Sequence, residues 1–291
     1  MTKIACCQYA PVFGEVRSNV AESLELFHRA VDGGARIVVF PELASSGYAF
    51  ADTTEADAAA ETADGLAVSS WRQAADERDA IVVAGFCEAN EHGAPYNSAA
   101  VLVPGRAPVI YRKAHLWDAE RTVFTAGEAA PPVIETEHGR ISVVICYDLE
   151  FPEWIRNPAL RGADLICAPV NWPRMPRPAG ERPGEVVRTQ AQASMNRVSI
   201  AACDRTGVER GIDWTSASVI VDANGWPLDM ADLDQSRTET ITADVDLSES
   251  RNKKLSAYSD VFADRRTDLY AATRSDAHGT SESAMSEDPQ R

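Results

Sequence analysis

The chain has 291 residues, 45% of them apolar, which is enough for one large domain with a substantial core. Its formal charge of −16 is spread over many segments without a basic cluster, arguing against nucleic acid or an anionic membrane as a partner. No apolar run is long enough to span a bilayer, and the first ten residues, MTKIACCQYA, lead into a short strand without a signal-peptide core, so the expected location is the cytoplasm.

Residues 4–9 read as a short strand, and residues 16–31 carry Val16, Val20, Leu24, Phe27 and Val31 at the spacing of an amphipathic helix that Gly33 and Gly34 stop. A buried strand over 37–40 follows, with Pro41 and Glu42 at its C-terminal end and a loop of small residues after it. A helix over 66–78 leads into a strand over 81–87. Strands over 97–103 and 108–111 then pair across the turn Pro104-Gly105-Arg106. The polar stretch RKAHLWDAERTVFTAGE has poor periodicity and reads as an ordered loop, a usual place for site residues.

Strands over 132–136 and 140–146 come next. Ile141, Val143, Val144 and Ile145 form a near-continuous apolar run that ends on Cys146, where strands covered on both faces carry their chemistry. Cys146 is therefore either a nucleophile or a buried structural thiol; the turn into a helix near Pro152 would offer partial positive charge to a thiolate. Beyond it lie a helix over 152–161, a strand over 164–170, a Pro- and Arg-rich loop over 171–183, a helix over 184–196 and a strand over 198–203. Strands over 216–221, 226–230 and 239–245 follow, the first two joined by the turn Asn224-Gly225. Strands alternating with helices, interrupted by hairpins, predict an α/β fold with a mixed sheet. Residues 272–291 are small and polar and are expected to be a disordered or loosely attached tail to a domain over 1–271.

The six cysteines include no CxxC pair, most sit in apolar strand-like runs, and the five histidines lack ligand spacing. Reduced thiols and no metal are expected. Glu42, Lys113 and Cys146 all fall at strand ends or in loops, and their types complement one another. A thiol attacking a carbonyl or nitrile carbon needs a base, which a glutamate in a partly apolar pocket can be. The oxyanion that forms needs fixed donors, for which the Lys113 ammonium and the Tyr147 amide are suited.

At these residues the sequence resembles the nitrilase, or carbon–nitrogen hydrolase, superfamily. The matching stretches are FPEL around Glu42, YRKAHL around Lys113 and CYDLEFPE from Cys146, and the likeness runs from QYAPVFGEV through GADLICAPVNWP to DRRTDLY. The resemblance implies a catalytic Glu42-Lys113-Cys146 set, an αββα sandwich with two mixed sheets between helix layers, and a homodimer. It also implies that Glu120, in the loop after the lysine, orients Lys113 or assists the hydrolytic water. His115 in that loop is expected to be a structural hydrogen-bonding residue, while Tyr48, Trp117, Tyr147, Asn171 and Trp172 are expected around a small-molecule amide substrate.

Branches of the superfamily with CYD after the strand resemble amidases, whereas nitrilases typically show CWE. Cys146-Tyr147-Asp148 therefore implies an amidase of small aliphatic or amino-acid-type carboxamides, acting through a thioester and without a cofactor; a nitrilase or N-carbamoyl amide hydrolase would use the same set, and a non-catalytic scaffold is disfavoured by its intactness. Where ω-amidase-like branches commonly place a carboxylate-holding Arg, this chain has Glu150. If Glu150 faces the pocket it should repel anionic substrates, unless Arg174, Arg177 or Arg182 supplies another clamp.

Overall fold

The computed structural model describes residues 1–233 and 235–270; the tail expected over 272–291 lies outside them. The first half of the chain runs β1 (Thr2–Gln8), α1 (Val16–Asp32), β2 (Ile37–Val39), α2 (Thr53–Ala59), α3 (Leu66–Arg78), β3 (Ile81–Glu88), β4 (Tyr96–Leu102), β5 (Val109–Arg112) and α4 (Glu120–Val123). The second half runs β6 (Val133–Thr136), β7 (Gly139–Val143), α5 (Pro152–Leu160), β8 (Leu165–Pro169), α6 (Gly184–Asn196) and β9 (Ser199–Cys203). It ends with β10 (Val208–Glu209), β11 (Ile212–Asp213), β12 (Val219–Val221), β13 (Pro227–Met230) and β14 (Glu239–Val245).

Two six-stranded mixed sheets result, ordered β14-β1-β2-β3-β4-β5 and β13-β12-β9-β8-β7-β6. The central strands β1, β2 and β3 are parallel, in register Ile4–Ile37–Ile81, as are β7, β8 and β9, in register Ile141–Leu165–Ser199. Strand alternation divides each sheet's side chains between two cores. Ile4, Ile37, Val39, Val83, Ile141, Val143, Leu165 and Ile241 pack between the sheets. On the outer face of the first sheet Ala5, Val38 and Val82 meet Phe27 and Val31 of α1 and Val68 and Trp71 of α3; on that of the second, Ile166 and Ile200 meet Ile155 of α5 and Val186 of α6. The layers are helix, sheet, sheet, helix, as the resemblance implies. Burying each Val, Leu, Ile or Phe contributes about 1.5–3 kcal/mol, so the three cores hold the layers together.

The structure departs from the sequence reading at short segments. The loop after Glu42 contains α2, whose only burying residues are Ala56 and Ala59 and whose start is set by Asp52, its carboxylate accepting from the Glu55 amide at 3.0 Å. The loop after Lys113 contains the single helical turn α4, and β10 and β11 pair as a hairpin where a loop was expected. The strand read as reaching Cys146 ends at Val143, and Cys146 instead opens a 3₁₀ turn, Cys146–Glu150.

Candidate active site

In a sheet with parallel strands the side chains after the C-terminal ends converge in one crevice, and the two sheets share that edge. Glu42 follows β2, Lys113 follows β5, Cys146 follows β7 and Asn171 follows β8. The sheets are tied there directly by Asn171 Nδ2, which donates to the Glu42 carbonyl at 2.8 Å, and within the second sheet Cys146 Sγ donates to the Asn171 carbonyl at 3.6 Å.

Glu42 and Lys113 are both fully buried and lie 2.7 Å apart, Nζ to Oε1. Nζ also sits 2.7 Å from Glu120 Oε1. Asn97 on β4, a residue the sequence reading did not single out, donates from Nδ2 to Glu42 Oε1 at 2.7 Å. Glu42 Oε2 is buried with no hydrogen-bond partner among the described residues. Burial pushes the Glu42 carboxyl up to about 7, against the pull of Lys113 and with a further push from Glu120. Burial works the other way on Lys113, but the carboxylates of Glu120 and Glu42 outweigh it and raise its pKa, so it stays an ammonium.

Cys146 has φ of +42°, a left-handed conformation unusual for a side chain with a Cβ, which turns the thiol out of the strand. The turn is held by Asp148, itself fully buried. Its Oδ2 accepts from the Ile145 amide at 3.0 Å and from the Tyr111 hydroxyl at 2.7 Å, and its Oδ1 accepts from the His115 amide at 3.1 Å and contacts His115 Nδ1 at 2.6 Å. Asp148 thus fixes the Cys146 turn to both sides of Lys113, and His115 has the structural part expected of it. Burial first and the Glu42 carboxylate second hold the Cys146 thiol well above its ordinary pKa, beyond what Lys113 recovers, which opposes the helix-end charge expected to favour a thiolate. The sulfur is a thiol that must lose its proton as it reacts.

Cys146 opens on a cavity of about 460 Å³ also lined by Trp117, Tyr147, Glu150, Asn171, Trp172, Met175, Arg177 and Arg188. Five of the expected substrate-contact residues are brought together here. Tyr48 is not: its hydroxyl donates to Glu120 Oε1 at 2.7 Å, its ring stands edge-on to Trp214, and it lines a separate hollow beyond Trp117. Glu150 faces the cavity and shares one counter-charge with a second acid: Arg188 Nε lies 2.6 Å from its carboxylate and Arg188 Nη2 reaches Glu185 at 3.1 Å, so the three groups together carry one net negative charge. Arg188 was out of reach of the sequence reading because it comes from α6, 38 residues after Glu150, and no local pattern pairs them. Among the described residues no cluster of three or more His, Cys, Asp or Glu side chains is disposed to hold a metal ion.

Residues 3–254 match the family model described as carbon-nitrogen hydrolase. A protein of Pyrococcus abyssi named nitrilase is 33% identical over 93% of this chain and 99% of its own length. The 2-oxoglutaramate amidase of Bacillus subtilis is 30% identical over 92% of this chain and 98% of its own. The crystal structure of an amidase from Nesterenkonia sp. superposes with a TM-score of 0.75 at 25% identity, over 92% of this chain and 95% of that one.

Proposed function

The chain belongs to the carbon–nitrogen hydrolase family, and on that premise we propose that it hydrolyses small aliphatic or amino-acid-type carboxamides to a carboxylic acid and ammonia through a thioester on Cys146. The observation that carries this reading is a cysteine that opens on a cavity and is joined through Asn171 to the Glu42 of a buried, hydrogen-bonded Glu42-Lys113-Glu120 set.

In the proposed path the substrate carbonyl carbon is attacked by Cys146 Sγ while Glu42 Oε2, the oxygen without a partner, takes the thiol proton. Lys113 Nζ and the Tyr147 amide hold the oxyanion. Collapse breaks the carbon–nitrogen bond, and Glu42 returns the proton to the departing ammonia. Glu42 then deprotonates a water that attacks the thioester, releasing the acid and restoring the thiol. Glu120 is saturated by the Tyr48 hydroxyl, Lys113 and the Trp117 amide, which supports a role in fixing Lys113 over one in handling the water.

The aromatic walls Trp117, Tyr147 and Trp172, with Glu150 and Glu185 bound to Arg188, favour a small neutral or amine-bearing acyl group. One observation favours a second reading. Arg174 is paired with Asp213 and Arg182 is bonded to Gln190, but Arg177 lines the cavity with no ion-pair partner among the described residues, so it suits a carboxylate-bearing amide or an N-carbamoyl acid. Ammonia release from propionamide, alaninamide, propionitrile and N-carbamoyl-β-alanine separates the readings. A best kcat/KM for either of the first two supports the amidase, and one for the carbamoyl acid that Arg177→Ala abolishes supports the second.

A homodimer in the cytoplasm completes the proposal. Leu160 of α5 and Val187 and Met195 of α6 expose apolar surface on the outer helix layer, and all six cysteines are free. Light scattering on the purified protein tests the dimer.

A further inference from the structure

Behind the Glu120–Lys113 pair, away from the substrate cavity, lies a second ion pair with no part in the path above. Arg205 and Glu209 are 1% and 5% exposed, with Nη1 and Oε2 2.8 Å apart. Glu209 Oε1 accepts from the backbone amides of both Tyr48 and Ala49, at 2.8 and 2.7 Å. Arg205 Nη2 donates to the Pro11 carbonyl at 3.0 Å, and its guanidinium stacks on Trp214, the ring that Tyr48 meets edge-on. The loop cannot shift closer, since a Cβ on Gly47 would sit 2.6 Å from Glu209 Oε2 and 2.8 Å from the Phe13 Cα. A buried ion pair costs several kcal/mol of desolvation per ion and is a weak way to gain stability, so its geometry asks for another account.

We propose that the Arg205–Glu209 pair and the Tyr48 hydroxyl form a positioning device for the active site: Glu209 fixes the Tyr48 backbone, Tyr48 fixes Glu120 Oε1, and Glu120 fixes Lys113 midway between itself and Glu42. The proposal rests on the amidase reading for its chemical meaning. Lys113 has two carboxylate partners at equal distance, 2.7 Å each. Loosening Glu120 lets the ammonium settle wholly on Glu42, which favours the Glu42 carboxylate over its protonated form and weakens it as a base. Burial holds the Tyr48 phenol far above its ordinary pKa, so it remains a donor throughout the working range.

The test uses Tyr48→Phe and Glu209→Gln in the full chain, alone and combined with Glu120→Gln. Tyr48→Phe keeps the ring on Trp214 and removes one hydroxyl that touches no substrate, so it isolates positioning if Glu209→Gln folds poorly. With propionamide, kcat should fall on the order of 10- to 100-fold, the range seen when supporting hydrogen bonds behind metal ligands are removed. KM should stay within about twofold, because neither residue lines the cavity. The acid limb of kcat/KM should move to lower pH, reflecting Glu42 as faced by Lys113, Glu120, Cys146 and the Asn97 amide. In the Glu120→Gln background Tyr48→Phe should cost nothing further. Unchanged kcat in Tyr48→Phe, or losses that multiply fully with those of Glu120→Gln, would overturn the proposal. The pH profile of Cys146 alkylation by iodoacetamide needs no turnover and separates the two readings. A profile that shifts in Tyr48→Phe of a protein that cleaves no amide keeps the positioning device and removes the amidase; an unshifted profile removes the device.

Discussion

The two oxygens of Glu42 have different environments. Oε1 is committed to Lys113 and Asn97 at 2.7 Å each, while Oε2 is buried without a partner, so proton traffic is assigned to one atom. With its carboxyl pushed up to about 7, Glu42 should be the acidic limb of the pH–rate profile: kcat/KM should rise with pH through an apparent pKa near 7 as the carboxylate forms. Glu42→Gln should remove that limb and cost about 10²- to 10⁴-fold or more in kcat, with Lys113→Ala comparable. Losses under tenfold in both, measured by ammonia release, would contradict the assignment. Of the residues concerned, Glu42, Lys113 and Cys146 were singled out because each lies in a short stretch beside a predicted strand, and Glu120 only because the family resemblance implies an acid in the loop after the lysine. Asn97 was not, since an Asn at a strand start carries no signal until β4 is laid beside β3 and the Glu42 turn.

Elements bring these side chains together by close approach of backbone. Gly85 in β3 donates its amide to the Pro41 carbonyl at 3.1 Å, and a Cβ there would lie 2.4 Å from the Leu43 amide and 2.7 Å from the Glu42 Cα. Leu43 is itself left-handed, with φ of +48°, so the turn has little room to yield. Gly85→Ala should therefore displace Glu42 as well as strain the core. We expect about 1–3 kcal/mol of destabilisation, read by denaturant melts, and a loss of kcat persisting under conditions where the variant is fully folded. A variant that is destabilised but fully active would show that the turn relaxes without moving the carboxylate. Long elements were readable from periodicity: α1, α3, α5 and α6 each bury a helical stripe, and the parallel strands are short, largely apolar runs such as the Ile-Val-Val of β2. The short ones were not. α2 and α4 are one or two turns set by a cap or by tertiary contacts, and the Cys146 turn is imposed by Asp148, whose partners Tyr111 and His115 are distant in sequence.

At the scale of the molecule, two buried carboxyls hold their protons to higher pH than they would in the unfolded chain. Glu42 and Asp204 are both pushed up to about 7 by burial, the latter while accepting amides from Trp172, Arg205 and Ala217. The folded state then binds protons that the unfolded state has released, so their contribution to stability is complete below about pH 4.5 and is lost as pH rises through about 7. Self-repulsion at a formal charge of −16 acts in the same direction. Tm should fall between pH 5.5 and 8.5 by roughly 5 °C or more, and Glu42→Gln should flatten part of that slope in a thermal scan; a Tm that climbs across the window would contradict it. The α/β class was available from strand–helix alternation and the layer order only from the family resemblance, but which strand closes each sheet was available from neither. β14, the last strand among the described residues, pairs antiparallel with β1, the first, and sends Ile241 and Val245 into the core between the sheets. During synthesis every group of the proposed reaction has therefore been joined to the chain by residue 171, some seventy residues before the strand that closes the first sheet. Until then the nascent chain carries Cys146 together with an unpaired β1 edge bearing Cys6 and Cys7. The order of translation makes completion of this enzyme a late event that its own C-terminal strand decides.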